Sequence, residues 1–230
     1  MTGRGPVGIV SAVHTWLHDP LWVLASFGVV GVLLVVARRE RGWNAGAKRR
    51  FLHIGIGACV LAITPRFHHL AWALVPPIAF IAINASRFLR GAFPGLADDP
   101  SAARGLWTFP LGVAATYLLF WGDGDRGAVL AGIAALTFGD PAAAWVGRRW
   151  GERRYRGFGF GRSLEGSLAF LLVSGFAIAW VAVFAVPGAI PLRFAVGCGA
   201  AGAAVEALSP PGWDNLFVPL AVAGAFGMLL

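Results

Sequence analysis

Apolar residues fill this chain in long blocks, and nearly all of its charge falls in the gaps between them. The blocks predict helices at about 20–37, 51–64, 69–83, 106–121, 127–147, 167–186, 190–207 and 214–230. Most approach the roughly 20 residues that cross a bilayer. The second and third are short, and Pro76-Pro77 interrupts the third. A kinked or re-entrant hairpin there would make the total seven or nine. The pattern predicts an all-α, polytopic membrane bundle of about seven to eight transmembrane helices, forming one membrane-embedded domain over 1–230.

Composition agrees with that pattern. The chain is 57% hydrophobic and 13% charged, with a mean hydropathy of +0.70, whereas soluble domains carry roughly 25% charged residues. A separate soluble domain is excluded. The net charge of +8 lies between apolar blocks rather than on a soluble face, so it sets topology and meets phosphates, and no nucleic-acid partner is expected. Arg38, Arg39, Arg41, Lys48, Arg49 and Arg50 fill one connection, Arg87, Arg90 and Arg104 the next on that side, and Arg148, Arg149, Arg153, Arg154, Arg156 and Arg162 a third. These fifteen of the 19 basic residues share one face, which the positive-inside rule makes cytoplasmic, with both termini outside. The expected location is the cell membrane, multi-pass, with the chemistry on the cytoplasmic side. Cys59 and Cys198 sit in apolar blocks as packing residues. Arg4 stands alone near the N-terminus, so the first apolar run is expected to be retained as a helix.

Charge is densest between 138 and 167. The run 127–138 would make only about 18 Å of helix, too short to span. Asp140-Pro141 suits a helix restart, with Asp as N-cap and Pro in the first turn, which predicts a broken helix near Asp140. An ionisable group at that depth is a functional candidate, although a capped proline kink accounts for the same residues. In the stretch 148–166, Gly157, Gly159 and Gly161 would let backbone N–H groups approach a phosphate, and the arginines would grip it. Contact with anionic headgroups is the alternative. Arg162, followed by Ser163, Glu165 and Gly166 at a helix start, is the best placed for a ligand. Glu206 and Asp214-Asn215 flank the turn Ser209-Pro210-Pro211-Gly212, an oxygen-rich set that suits Mg²⁺. His53 is either a hydroxyl base or phosphate contact, or a helix–helix hydrogen-bonding residue. His68 and His69 are assigned no role.

These residues resemble the polyprenol kinase family: dolichol kinases, phytol and farnesol-type kinases, and CTP-dependent diacylglycerol kinases. The resemblance rests on Arg49-Arg50-Phe51-Leu52-His53-Ile54-Gly55-Ile56-Gly57, Gly105-Leu106-Trp107-Thr108-Phe109-Pro110-Leu111-Gly112, Gly139-Asp140-Pro141 with Gly147-Arg148-Arg149-Trp150-Gly151, Arg162-Ser163-Leu164-Glu165-Gly166-Ser167, and Glu206 with Asp214-Asn215-Leu216-Phe217-Val218-Pro219. Where the family usually has Lys, this chain has Arg162, which keeps the charge and changes its geometry. The resemblance implies phosphoryl transfer from CTP or ATP to a lipid alcohol in the bilayer. It assigns catalysis to Asp140, Asp214, Glu206 and His53, and Mg²⁺ to Asp140, Glu206, Asp214 and Asn215. The nucleotide falls to Arg148, Arg149, Arg162, Ser163, Gly159, Gly161 and Glu165 in a cytoplasmic Arg/Gly-rich loop, 148–166. Two alternatives stand beside it: a CTP:phosphatidate cytidylyltransferase-like enzyme, and a small transporter or scaffold with an acidic ion path.

Overall fold

The computed structural model describes residues 6–85, 100–122, 126–157 and 160–230; Arg87, Arg90 and Gly159 lie outside them. Among these residues eight helices follow one another: α1 Pro6–Arg39, α2 Ala45–Ile63, α3 Leu70–Ala85, α4 Pro100–Phe120, α5 Gly127–Trp150, α6 Leu164–Ala185, α7 Pro191–Leu208 and α8 Asp214–Met228. By length and composition α1 (over His18–Arg39), α5 and α6 can cross a membrane. Successive helices alternate in direction, so the basic connections gather at one end of the bundle.

Several helices begin earlier than the apolar pattern suggests, because caps rather than hydropathy start them. Asn44 accepts the N–H of Ala47 at 2.8 Å and starts α2, which draws Lys48, Arg49 and Arg50 into its first turns. Ser163 does the same for α6 by accepting the N–H of Gly166 at 3.1 Å. Pro76 and Pro77 both lie buried inside α3, which stays one helix rather than a re-entrant hairpin.

The expected interruption near Asp140 takes the form of a π turn, Ala135–Gly139, within α5. Asp140 itself has helical φ −61° and ψ −49° and therefore does not act as an N-cap, which corrects the restart inferred from sequence. Pro141 explains the geometry: it has no N–H, and its ring would collide with the Thr137 carbonyl in a regular helix, so the preceding turn widens.

Two cores flank α5. Phe170 of α6, Phe194 and Cys198 of α7 and Val218, Val222 and Phe226 of α8 fill one side. Cys59 and Ile63 of α2, Ala73 of α3 and Val113 and Tyr117 of α4 fill the other. Both cysteines are free thiols. Leu168, Leu172, Phe176, Trp180 and Phe184 form an exposed stripe on α6 at four-residue spacing, and Phe176 is 74% exposed, as a lipid-facing surface requires.

Close backbone packing sets α8 against α4. Pro219 cannot donate to the Asn215 carbonyl, and Gly112 of α4 lies so near that a Cβ there would run into this oxygen. Gly112→Ala is expected to push the helices apart, lowering the Tm by several degrees in detergent and shifting Asn215. An unchanged melting curve would show that the helices separate freely.

At the end opposite the basic connections, Asp19 of α1 is fully buried and accepts the N–H groups of His68 at 3.1 Å and His69 at 2.9 Å. The His69 ring also contacts it at 2.9 Å. The two histidines thus fasten the α2–α3 connection to α1, a task not foreseen from sequence.

Candidate active site

Within the Arg/Gly-rich stretch 148–166 the chain forms an antiparallel hairpin, β1 Arg154–Gly157 and β2 Phe160–Ser163, with Tyr155 opposite Arg162. Strand pairing fixes Arg162 at the charged end of the bundle and directs it inward. Its Nη1 lies 2.7 Å from Glu206 Oε1 and its Nη2 lies 3.0 Å from Asp214 Oδ2. Nη2 also donates to the Ser209 carbonyl at 3.3 Å. Burial disfavours the charge on Arg162, but the carboxylates of Glu206 and Asp214 outweigh it and hold its pKa above the ordinary guanidinium value.

Both carboxylates are placed by helix periodicity. Phe194, Cys198, Gly202 and Glu206 recur every four residues on the buried face of α7, so Glu206 is only 2% exposed. Asp214 and Asn215 open α8 on its buried face. The turn between them is held from α4: Thr108 Oγ1 lies 2.5 Å from the Gly212 carbonyl and Arg104 Nε donates to Pro211 O at 3.0 Å. Gly212 adopts φ +85°, a conformation that favours glycine.

Arg162, Asp214, Asn215 and the turn residues Pro211 and Gly212 border a cavity of about 380 Å³ that runs into the bundle among α1, α2, α3, α4 and α5, and Glu206 stands just off its wall. Asp140, Asp214, Arg49, Arg50, Arg148 and Arg162 line its charged mouth, four cations against two carboxylates, which suits a polyanion. Asn215 and His53 also line it. The sequence presents Arg49 and Arg50 only as topology signals, and their place on the cavity wall emerges from the fold.

Other expected site residues stand elsewhere. Arg149 is exposed and does not line the cavity. Ser163 caps α6, and Glu165 Oε1 accepts the N–H of Arg153 at 3.2 Å. Gly161 lies in β2 and also stands off the cavity wall.

His53 has a structural partner. In the π turn the Leu136 carbonyl would look for its donor at Pro141, which has none, and His53 Nε2 supplies one at 2.9 Å. The accepting carbonyl places the proton on Nε2. His53→Gln, which can still donate, is expected to keep turnover within about tenfold, whereas loss of a general base costs roughly 10²–10⁴. A drop in that larger range would return His53 to the chemistry.

The family resemblance implies Mg²⁺, and the residues present fit a hard cation. Glu206 Oε2 and Asn215 Oδ1 are buried with no partner, and Asp214 adds a carboxylate. The set is open rather than a closed cage: among the described residues, the group whose ligand atoms all lie within 4.8 Å is His18, Asp19 and His68 at the other end. Asp19 there is already occupied by N–H donors. An open set matches a cation that completes its shell with water and phosphate.

The fold and site together define an integral membrane protein whose buried ionic centre opens into an apolar interior. A phytol kinase from Synechocystis sp. is 30% identical to this chain over an alignment of 227 residues, covering 87% of this chain and 89% of its own. The chain belongs to the polyprenol and phytol kinase family. No protein-family model and no solved structure matches it.

Proposed function

We propose that this protein is a lipid-alcohol kinase that transfers the terminal phosphoryl group of a nucleoside triphosphate, CTP by family resemblance, to an isoprenoid alcohol held in the cell membrane. The observation that carries the reading is a continuous cavity joining an Arg- and Asp-lined mouth to an apolar interior. Phosphoryl transfer needs positioning and charge neutralisation more than covalent participation by the protein. The mouth supplies both.

Arg148 and Arg162, with Arg49 and Arg50 opposite, grip the triphosphate. Glu206, Asp214 and Asn215 would hold Mg²⁺, which when bound neutralises charge on the phosphate oxygens. Asp140 lies on the cavity wall beside Pro141 and Ala144, where charged mouth meets apolar interior, and takes the hydroxyl proton. The alcohol oxygen bonds to the terminal phosphorus, the bridging P–O bond breaks, and the nucleoside diphosphate leaves with the electron pair. The basic end of the bundle faces the cytoplasm, where the nucleotide is supplied.

The test incubates purified protein with labelled CTP or ATP, Mg²⁺ and a panel of lipid alcohols and phosphatidate. A lipid monophosphate with release of nucleoside diphosphate is expected. Pyrophosphate release with a CDP-lipid would replace this reading with the cytidylyltransferase.

A further inference from the structure

At the end away from the charged mouth, the cavity is lined by Ser26 of α1, Ile63 of α2, Ala73 of α3 and Tyr117 of α4. Tyr117 of α4 is 1% exposed, and its hydroxyl lies 2.7 Å from Thr64 Oγ1 at the C-terminal end of α2. The Thr64 hydroxyl in turn donates to Val60 O at 2.6 Å, so Tyr117 is the donor of the pair. Trp121 packs edge-on against the Tyr117 ring at 5.3 Å, which locks it from the far side. The ring cannot swing aside without breaking a buried hydrogen bond.

The mouth can be placed on the same scale. His53 of α2 sits against Leu136 of the antiparallel α5, so Asp140, one turn further along α5, is level with Arg49 and Arg50. Residues lining the cavity run from Gly46 to Ile63 on α2 and from Gly105 to Tyr117 on α4, and the depth below the mouth is counted from Arg50, level with Asp140. At 1.5 Å per residue both helices give a depth of about 18–20 Å. A staggered carbon chain with bonds of about 1.5 Å advances roughly 1.25 Å per bond, so about 15 bonds fit between mouth and floor. At four main-chain carbons per isoprene unit, that is about four units. The walls between are mainly apolar, among them Ile56, Val60, Pro76, Pro77, Phe109 and Val113, with no Asp, Glu, Lys or Arg below the mouth.

We infer that the Tyr117–Thr64 pair is the floor of a lipid tunnel and sets the length of the alcohol tail at about four isoprene units. The inference rests on the lipid-alcohol reading for the identity of the ligand. A tail of that length fills the tunnel with its hydroxyl at Asp140. A longer tail either meets the Tyr117 ring or leaves its hydroxyl short of the site.

The test measures binding separately from turnover: thermal stabilisation of the full chain in detergent by linear prenyl alcohols of 10, 15, 20, 25 and 30 carbons, beside phosphorylation of the same series. For the wild type, stabilisation should rise to 20 carbons and apparent affinity should fall at least tenfold by 30. Tyr117→Ala vacates space for about one further unit and should move the optimum to 25 carbons. Ala73→Leu, which adds bulk at the deep end, should move it to 15. The opposite shifts separate a changed floor from a general folding defect, and either variant alone is decisive if the other does not fold. Affinity that climbs steadily to 30 carbons, or variants that keep the wild-type optimum, would overturn the floor. A length cut-off in binding without any phosphorylation removes the kinase reading and leaves the tunnel; equal phosphorylation of 20 and 30 carbons does the reverse.

Discussion

Asp140→Asn and Asp214→Asn are each expected to lower kcat by about a hundredfold or more while leaving a folded protein. The substitution conserves shape and removes only the charge, so helix packing around α5 and α8 should persist. The two variants should differ in character. Asp214 meets Arg162 at 3.0 Å, the same guanidinium that holds Glu206, and Glu206 Oε2 and Asn215 Oδ1 are buried without a hydrogen-bond partner. Loss of the Asp214 charge should weaken cation binding, so activity should recover in part at high Mg²⁺. Asp140 lines the cavity where the apolar walls begin. Its loss should remove the proton acceptor, in the range of roughly 10²–10⁴ for general-base loss, and no Mg²⁺ concentration should restore the rate. Initial rates across a Mg²⁺ titration at saturating nucleotide, with gel filtration to confirm folding, check both. Near-wild-type turnover in either variant would take that residue out of the mechanism, and identical Mg²⁺ profiles would remove the division of labour between them.

The helices were legible because apolar blocks of membrane length are a composition signal that needs no tertiary information. Their beginnings were less legible, since Asn44 and Ser163 start helices through single hydrogen bonds that hydropathy does not register. The pair Glu206 and Asp214-Asn215 was visible because charge is costly among apolar residues and two such clusters flank one turn. What sequence did not convey was the partner. The sequence offers Arg162 as a ligand contact just ahead of a helix start, and its pairing with both carboxylates depends on a hairpin whose register only the fold determines. Asp140 was read as a helix cap because Asp-Pro is a common start signal. A π turn accommodates the proline without ending the helix, and that choice depends on packing against α2, where His53 takes up the stranded Leu136 carbonyl. The Tyr117–Thr64 floor joins residues 53 positions apart and leaves no local pattern.

Arg162→Met is expected to be the most destabilising single change at the site. Its guanidinium spans two buried carboxylates at once, Glu206 with a side chain 2% exposed and Asp214 at 8%. Removing one partner from a buried ion pair costs about 3–5 kcal/mol, because the remaining charges stay in a poor solvent. The loss should shrink when Glu206→Gln is added, since the double variant no longer buries an uncompensated carboxylate there, and turnover should not return with it. Arg162→Lys tests the geometry instead of the charge. An ammonium is a single point and cannot reproduce the fork that places Nη1 on Glu206 and Nη2 on Asp214. This variant should fold with a Tm between those of Arg162→Met and the wild type, and should bind nucleotide more weakly. The order of the three melting temperatures and the partial rescue in the double variant are both measurable in detergent. A Lys variant as stable as the wild type would show that charge alone holds Glu206 and Asp214 together, and that the two-pronged geometry of the arginine is dispensable.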